Sequence, residues 1–365
     1  MRMSFLHILM TVLIVGCNKK VDNNLPEIYS HKLNVKYSFQ LVDKVVLSYT
    51  DSLFTGRLRS FAVFHDGKLS IGDGLDGRVK ITSRKGMFVK NISRKGSGPA
   101  ETRGLASHCI DDSGRVWTSD FVLHRVSVYD TSGSVLDTWS PMDGCDDCTY
   151  LQGTIRVKNN TVYINMIKGV TRPFKVNNVS SAITAFDFEH KPIAEYGKFE
   201  QVLEDYFVPY PAVAFDIDSL GNLYFAHDHS YNIQKYSPDG KILKRFNYPV
   251  KEYRPIKERQ PERVPLDKVK EWYYSNTVTG KMEIVGKYLF ISFINTDAEY
   301  VTNSDRRYRH ETLQVFDLDG DCLVDDLKVP GHFLCRDDAG VLYFLEEDEA
   351  DRAVISKYKF AVDGE

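Results

Sequence analysis

Short apolar runs with alternating polar residues recur along the chain, and turn sequences separate them. In two stretches, His108–Trp139 and Ala214–Phe246, four such runs follow one another in the same order. A D-x-x-G turn follows the first run, a polar loop follows the second, and another glycine turn follows the third. Alternation with a period of two is typical of half-buried strands, and Ser-Gly or Asp-Gly pairs between alternating runs indicate hairpins. Each stretch is therefore predicted to form a four-stranded antiparallel sheet.

Weaker copies of this pattern begin at Phe61, Ile155, Met282 and His332, which makes six units in all. The last copy supplies only three runs, but the alternating segment Val35–Ser48 precedes the first copy and provides a fourth. Four-stranded units of about 40 to 50 residues are typical of propeller blades, because one blade cannot bury its faces alone. The predicted fold class is all-β: a six-bladed β-propeller of four-stranded antiparallel blades, with the last blade closed by the N-terminal strand. A pair of β-sandwiches would explain neither the repeat nor the missing strand.

The N-terminus has the features of a targeting segment. Arg2 precedes an apolar run, Phe5–Val15, which is too short for a comfortable membrane span. The run ends in LIVGC, which resembles the lipobox of bacterial lipoproteins, whose cysteine is lipidated and becomes the first mature residue. We expect a lipoprotein signal peptide over residues 1–16 and lipidation of Cys17. A plain secretory signal or an inner-membrane anchor is the alternative.

A polar tether is expected over residues 17–34, and the propeller over residues 35–365. In the lipoproteins that the N-terminus resembles, Asn18 rather than Asp after the cysteine implies an outer-membrane lipoprotein, and we expect it to face the periplasm. The membrane is thus an expected partner through the lipid anchor. The formal net charge of -3 provides no global basic field, so nucleic acid is not an expected partner.

One repeat carries a more specific resemblance. The sequence DSLGNLYFAHDHSYNIQKYSPDGKILKRF, Asp218–Phe246, resembles the NHL-type propeller repeat. Together with the lipobox, the whole chain resembles the six-bladed β-propeller lipoproteins of the Bacteroidetes type, from Val35 to Phe360. The resemblance implies the fold. It implies no particular activity, because propellers support many functions.

The cysteines give only a weak chemical signal. Five of them follow Cys17, and an odd number leaves at least one without an intramolecular partner. Cys145 and Cys148 form a single CxxC. A zinc site would need two further ligands, and a redox site would need a helix that starts after a strand. A local disulfide or two ordinary loop cysteines are therefore expected.

The sequence SRKGSGPAE, Ser93–Glu101, joins two predicted blades. It lacks the spacing and the following helix of a P-loop, and it lacks the third glycine of a dinucleotide-binding fingerprint. G-x-G-P-x-E is instead similar to a signature of the Bacteroidetes propellers, with Ala100 where they commonly have glycine. We expect a structural turn, with Arg94, Lys95 and Glu101 as candidate ligand contacts.

The connections between strands divide unequally between the two faces of the predicted propeller. The turns that join strands 1 and 2, or strands 3 and 4, are tight, whereas several connections on the other face exceed about 12 residues. The longest, residues 247–281, contains PLDKVKEWYYS, which predicts a short helix opened by Pro265. Long loops in compact domains are commonly functional, so we expect the site on this long-loop face. The alternative is that the loops only cap the propeller.

The second strands deliver polar residues to the same face. Equivalent positions of different blades converge around the central channel, so these residues are candidates for a ring that holds a divalent metal, Ca²⁺ or Zn²⁺. The alternative is that they form hydrogen bonds within their own loops. No other cofactor is expected. The candidates are Asp73, Asp120, His227, Asp228, His229 and Glu346.

Aromatic and basic residues crowd the long loops, and Tyr, Trp and Arg dominate binding hot spots. The candidate ligand-binding residues there are Tyr206, Tyr210, Arg254, Trp272, Tyr273, Arg306 and Arg307. Trp272 is an equally good candidate for pinning the helix to the propeller. The predicted function is therefore a lipid-anchored, non-catalytic envelope propeller that binds a protein, peptide or glycan through its long-loop face.

The alternative function is a metal-dependent hydrolase or lyase, lactonase-like or amidating-lyase-like, with its site at the channel mouth. In that case His227, His229, Asp120 and Glu346 would be the metal ligands, and Asp73 a candidate base. The sequence contains neither G-x-S-x-G nor HExxH, which argues against serine and zincin protease chemistry. A purely structural scaffold in an envelope complex is a third interpretation.

Overall fold

Six antiparallel sheets of four strands each form the blades of a β-propeller, and one of the sheets carries a short fifth strand. The predicted fold class is confirmed. The structure is a computed structural model. It describes residues 26–48, 58–99, 101–143, 148–168, 170–171, 175–176, 181–197, 213–258, 264–303, 308–347 and 352–363.

The strands are short and follow one another closely. In the first half of the chain they are β1 (Ile28–Tyr29), β2 (Tyr37–Val46), β3 (Leu58–Val63), β4 (Leu69–Asp73), β5 (Arg78–Thr82), β6 (Phe88–Asn91), β7 (Arg94–Lys95), β8 (Glu101–Thr102), β9 (Leu105–Ile110), β10 (Val116–Asp120), β11 (Arg125–Tyr129), β12 (Val135–Trp139), β13 (Cys148–Lys158), β14 (Thr161–Lys168), β15 (Val170–Thr171) and β16 (Lys175–Val176). In the second half they are β17 (Ile183–Phe186), β18 (Pro192–Tyr196), β19 (Val213–Ile217), β20 (Leu223–His227), β21 (Ile233–Tyr236), β22 (Ile242–Phe246), β23 (Val278–Val285), β24 (Tyr288–Thr296), β25 (Arg309–Asp317), β26 (Cys322–Lys328), β27 (His332–Arg336), β28 (Leu342–Glu347) and β29 (Ala353–Val362).

The blades follow the order of the chain. Blade 1 contains β3–β6, blade 2 contains β9–β12, and blade 3 contains β13, β14, β17 and β18. Blade 4 contains β19–β22, blade 5 contains β23–β26, and blade 6 contains β27–β29 together with β2. The first strand of each blade contacts the first strands of both neighbours, around the ring β3, β9, β13, β19, β23, β27 and back to β3. These six strands therefore surround the central channel.

The N-terminal strand closes the ring, as the sequence predicts. β2 pairs antiparallel with β29 along its length, beginning with Tyr37 opposite Val362. Phe39 stacks on Tyr358 with ring centroids 4.5 Å apart, so aromatic packing adds to the ladder of backbone hydrogen bonds. Without β2, blade 6 would end in an unpaired edge strand.

The D-x-x-G turns owe their sequence to one geometry. In blade 4, the Asp218 carboxylate accepts hydrogen bonds from the backbone N–H groups of Leu220 and Asn222, at 2.9 and 2.8 Å. Gly221 then adopts a φ of +83°, which residues with a Cβ rarely adopt. The Asp111 carboxylate forms the same pair of bonds in blade 2. The turn therefore requires the two residue types that punctuate the repeats.

The segment directly before β2, which lies within the expected tether, packs on the propeller. β1 pairs in parallel with β22, and the backbone of Leu33 and of His31 bonds to that of Cys322 at 2.9 Å. Lys32 also pairs with Asp325 at 2.7 Å. The segment thus crosses the outer strands of blades 4 and 5. Its polar sequence lacks strand-like alternation, because backbone pairing and surface ion pairs hold it.

Two helices lie in the connections of the long-loop face. Helix α1 (Leu266–Ser275) follows Pro265 within the connection between β22 and β23, and helix α2 (Ala298–Asn303) follows β24. The two helices contact each other, and α1 also contacts β24. They lie at the long-loop end of blades 4 and 5.

Candidate functional site

Four charged side chains from four different first strands line one end of the central channel. They are Arg156 on β13, Asp216 on β19, Glu283 on β23 and Arg336 on β27. The cavity between them has a volume of about 110 Å³ and is also lined by the tight turns that join first and second strands. We call this the tight-turn end of the channel.

The four side chains form an alternating array of positive and negative groups. Arg156 Nη2 donates to Glu283 Oε1 at 2.5 Å. The other approaches are longer: Arg156 Nε to Asp216 and Arg336 Nη2 to Asp216 are both 3.9 Å, and Arg336 Nε to Glu283 is 4.0 Å. Burial disfavours the charged guanidinium groups, but the two carboxylates outweigh it and raise the pKa of Arg156 and of Arg336. Burial raises the pKa of Glu283 against the opposing effect of Arg156.

A second cavity, of about 130 Å³, opens at the long-loop end of the channel. Lys281, Arg309 and His332 line it together with Arg59, and Glu311 lies beside Arg309 and His332. Arg309 Nη2 and His332 Nδ1 each lie 3.2 Å from Glu311 Oε2. Burial opposes ionisation of Glu311, but Arg309 and His332 outweigh it and lower the pKa of this carboxyl group. We call Lys281, Arg309, His332 and Glu311 the long-loop mouth.

Lys281 is the least satisfied charge at the long-loop mouth. Its side chain is partly exposed, and its ammonium makes no hydrogen bond or ion pair within the described residues. Burial lowers the pKa of Lys281, and the positive charge of Arg156 lowers it further. The mouth therefore holds two basic side chains and an imidazole around a single carboxylate.

The structure does not bring the predicted metal ring together. Asp73 accepts a hydrogen bond from Lys80 Nζ at 2.9 Å, Asp120 accepts four backbone N–H groups from adjacent loops, and Glu346 pairs with Lys44 at 2.8 Å. All six candidates belong to the described residues, among which no group of three or more His, Cys, Asp or Glu side chains could hold a metal ion. Asp73 and Asp120 instead bond to backbone N–H groups of nearby loops, which a short acidic side chain at a strand end readily reaches. Glu346 is held by the ammonium of Lys44 on β2.

The HDH motif anchors α1 to blade 4. The buried Asp228 carboxylate accepts hydrogen bonds from the Tyr273 hydroxyl and from the backbone N–H of His229. His229 Nδ1 lies 2.9 Å from the Thr277 carbonyl oxygen, and its ring meets the Tyr273 ring edge-on at 4.7 Å. Burial raises the pKa of Asp228 and of Tyr273, so both favour their neutral, hydrogen-bonded forms. His227 is also fully buried.

Two further ligand candidates stabilise the same region. Trp272 Nε1 donates to the carbonyl oxygen of Glu258 at 2.9 Å. Arg254 Nη1 donates to the carbonyl oxygen of Thr296 at 2.8 Å. Both bonds join residues of the long connection to each other or to blade 5. These side chains therefore shape the long-loop face, and Trp272 contributes to fastening the helix to the propeller.

The glycine-rich loop after blade 1 is a turn built around Glu101. The Glu101 carboxylate accepts the backbone N–H of Gly98 at 2.7 Å, and Gly96 adopts a φ of +154°. A Cβ on Gly96 would lie 2.1 Å from the Glu101 carboxylate, so the loop requires glycine there. Glu101 is thus internal to the loop. Arg94 and Lys95 are exposed on β7, which pairs with β8, and they stay candidates for a ligand contact.

Some predicted residues lie outside the described part of the chain. They are the lipidation site Cys17, the loop residues Tyr206, Tyr210, Arg306 and Arg307, and Cys145 of the CxxC. Cys109, Cys322 and Cys335 are buried free thiols. Burial raises the pKa of Cys109 and of Cys322 to about 12, which keeps both in the unreactive thiol form.

The charged residues of the channel were not predicted from the sequence. Arg156 and Glu283 lie inside apolar runs, TIRVK and KMEIV, that indicate first strands. A signal was nevertheless present, because the first strand of a blade faces the channel and the adjacent blades rather than open solvent. A charge within it therefore needs a channel or a partner. Loop length, which favoured the other face, contains no information on these positions.

These observations define the protein as a six-bladed β-propeller with a charged central channel. Among the described residues, no helix is long and apolar enough to cross a membrane. A family model described as DUF5128, a six-bladed β-propeller, matches residues 19–167. No curated protein matches the chain.

Solved structures share the fold along most of the chain. An exported protein, so described, from Bacteroides fragilis is 14% identical with a TM-score of 0.59, and the match covers 92% of this chain and 100% of that chain. A member of the DUF4221 family from Bacteroides vulgatus is 10% identical with a TM-score of 0.64, covering 90% and 100%. A gluconolactonase from Xanthomonas campestris is 12% identical with a TM-score of 0.51, covering 88% and 99%. The resemblance to six-bladed propellers of Bacteroidetes is thereby confirmed at the level of the fold.

Proposed function

We propose that the protein is an envelope propeller, anchored through a lipid on Cys17, that binds an acidic protein, peptide or glycan at its long-loop mouth without catalysing a reaction. The observation that carries the proposal is the ammonium of Lys281, which lines a cavity together with Arg309 and His332. A ligand carboxylate would meet the basic side chains of Lys281 and Arg309 there, with Arg59 in the same lining and Glu311 opposing it. Hydrogen bonds between such cations and a carboxylate are among the strong ones.

The surface beside the mouth supports a ligand larger than a single ion. α1 and α2 lie at this face, and Tyr274 meets Tyr300 edge-on with ring centroids 5.0 Å apart. Both side chains are partly exposed. Tyrosine provides a large contact area with few rotatable bonds, which favours binding of peptide side chains or sugar rings.

Calorimetry can test the proposal on the soluble domain beginning at Asn18. The probes are a short polyglutamate peptide, a uronic-acid oligosaccharide and their uncharged counterparts. We expect at least one acidic probe to bind more tightly than its neutral counterpart, with an affinity that falls as salt is added. Lys281→Gln should weaken binding by about tenfold. Lys270→Gln, on the exposed face of α1, is the matched control. Equal binding of acidic and neutral probes, or full affinity in Lys281→Gln, would contradict the proposal.

The described residues favour binding over hydrolysis. A serine and a histidine do meet beside the mouth, because Ser60 Oγ lies 2.5 Å from His108 Nδ1. Burial lowers the pKa of His108 to about 3, however, so its imidazole is a weak base at neutral pH. Ser60 itself is 4% exposed. The pair therefore resembles a satisfied interior hydrogen bond more than an activated nucleophile.

The anchor has a separate test. Cys17→Ser removes the acceptor of the lipid, and we expect the full-length protein to move from the membrane fraction to the soluble fraction of a Gram-negative host. Metabolic labelling with an alkynyl fatty acid should mark the natural protein and not the variant. Membrane association that persists without label would indicate another anchor.

A further inference from the structure

The tight-turn end of the channel is a separate cavity with its own chemistry. Its walls carry Arg156, Arg336, Asp216 and Glu283, all within about 4 Å of a group of opposite sign. Both carboxylates are nearly buried, at 5% and 4% exposure, whereas the two arginine side chains are about a fifth exposed. The arginines therefore present their accessible surface to the cavity.

The guanidinium groups are incompletely satisfied. Arg156 Nε and Arg336 Nε are both buried and have no hydrogen-bond partner. Their nearest carboxylate oxygens lie 3.9 and 4.0 Å away, beyond the usual limit of about 3.2 Å for such bonds. Within the described part of the chain, Arg336 donates no hydrogen bond. A planar guanidinium with free donors is suited to a carboxylate, which it can bind through two parallel bonds.

The balance of charge restricts what can enter. The four channel side chains carry two positive and two negative charges, and the rim adds Lys158 and the acidic residues Asp112, Asp337 and Asp338. A ligand with net charge would leave an uncompensated charge among the four partly or nearly buried channel side chains, which is costly. A ligand with one positive and one negative group close together avoids this. The acidic turn residues Asp112 and Asp338 at the rim further disfavour the approach of a simple anion.

We propose that the tight-turn end binds a small zwitterion, an α-amino acid or a close relative, with its carboxylate on Arg336 and its ammonium on Asp216 or Glu283. The cavity, of about 110 Å³, is small and lies at the end of the channel, which suits a compact amino acid. This site is a different cavity from the long-loop mouth. It lies on the face whose short turns gave no indication of function.

Glycine, L-alanine and L-serine are the probes, titrated into the soluble domain by calorimetry. Acetate and methylammonium, each carrying half of the zwitterion, are titrated under the same conditions. We expect at least one amino acid to bind with one-to-one stoichiometry and to raise the melting temperature, and neither half to do so at the same concentration. If no amino acid binds at millimolar concentration, or if either half binds as well, the proposal is overturned.

Substitutions at the two ends of the channel show which cavity binds the amino acid. Arg336→Gln should weaken the binding of the amino acid by about tenfold or more, because the charge-assisted hydrogen bonds to its carboxylate are lost. Arg336→Lys retains the charge and the fold but loses the planar fork, so it should weaken binding by an intermediate amount. Arg309→Gln, at the opposite end of the channel, should leave the affinity unchanged. An unchanged affinity in Arg336→Lys and Arg336→Gln, or a loss in Arg309→Gln, would refute the assignment to this cavity.

Discussion

The two ends of the channel share strands β3, β23 and β27 but balance their charges differently. At the tight-turn end two guanidinium groups face two carboxylates, whereas at the long-loop mouth Lys281 and Arg309 face Glu311 alone. A single strand contributes to both ends: on β23, Lys281 lines one cavity and Glu283, two residues later, lines the other. Alternate residues of a strand point to the same side. Lys281 and Glu283 therefore project to the same side of β23 but at different positions along it, and they line different cavities.

The comparison shows that the exposure and the pairing of a charged side chain decide whether it acts mainly in stability or in ligand binding. Paired charges in a buried setting stabilise each other but contribute little net stability, and removing one partner is severely destabilising. A surplus charge at an accessible mouth remains available for a ligand. The tight-turn end should therefore be more sensitive in stability, and the long-loop mouth more sensitive in ligand affinity.

Arg156→Met should have the largest effect on stability. The substitution leaves the nearly buried Glu283 without its 2.5 Å partner, and Arg336 lies 4.0 Å from this carboxylate, beyond hydrogen-bond distance. Loss of one partner from a buried ion pair commonly destabilises a protein by about 3–5 kcal/mol. We expect a decrease of this size in the unfolding free energy at pH 7, measured by urea denaturation. The deficit should shrink at lower pH, because burial already raises the pKa of Glu283 and favours its neutral form.

The matched variant at the other end is Arg309→Met. Glu311 would retain His332 as a hydrogen-bond partner, so we expect a smaller loss of about 1–2 kcal/mol. Equal losses for Arg156→Met and Arg309→Met would remove the distinction between the two ends.

Glu311→Gln should show the next largest effect and a characteristic pH dependence. The folded pKa of Glu311 is lowered, so its ionised form stabilises the protein above the unfolded value of about 4.3, and this contribution is lost as pH falls through the folded pKa. We expect the variant to be about 1–3 kcal/mol less stable at pH 7. The two unfolding curves should converge in acid. A difference that is constant from neutral to acid pH would show that the carboxylate charge has no part in it.

Lys281 tests whether the two ends influence each other. Its pKa is lowered by burial and then by Arg156, which belongs to the other end. Competitive labelling with acetic anhydride across a range of pH should place the titration of Lys281 below the ordinary lysine value of about 10.4. In Arg156→Met the titration should move upward, because a nearby positive charge is removed. An unchanged titration would mean that the two ends are electrostatically independent.

The sequence predicted the blades because each strand and turn has a local signature. Asp218 and Gly221 illustrate this, since the carboxylate bonds and the positive φ of one turn dictate both residue types. Closure by β2 was also predictable, because a repeat with three strands needs a fourth. These features depend on residues that are close in sequence or on counting repeats.

The charged residues of the channel could not be predicted from the sequence in the same way. Arg156 and Glu283 are 127 residues apart in the sequence, and their contact depends on how the first strands of blades 3 and 5 are positioned around the ring. The packed segment before β2 is a similar case, because Lys32 finds its partner Asp325 on a strand near the other end of the chain. Long-range ion pairs leave no periodic pattern. The candidate metal ring was predicted from the equivalent positions of different blades. In the structure, Asp73 and Asp120 accept hydrogen bonds from nearby backbone N–H groups, and Glu346 pairs with Lys44.

The smallest effect is expected at the rim of the tight-turn end. His65 on blade 1 pairs with Asp338 on blade 6, which raises the pKa of His65, and its other ring nitrogen lies 3.2 Å from the carbonyl oxygen of Asp112. Both partners are more than half exposed, so solvent screens the pair, and we expect His65→Gln to reduce stability by no more than about 1 kcal/mol.

The pH dependence gives that small effect a sign. A histidine with a raised folded pKa contributes its full stabilisation below the unfolded value of about 6.5 and loses it as pH rises through the folded value. Urea denaturation of natural protein and His65→Gln should therefore differ at about pH 6 and coincide at about pH 8, and added salt should reduce the difference. A loss comparable to that of Arg156→Met would mean that the rim shares the buried character of the array beneath it. The exposed pair at the rim and the buried array would then contribute equally to the unfolding free energy.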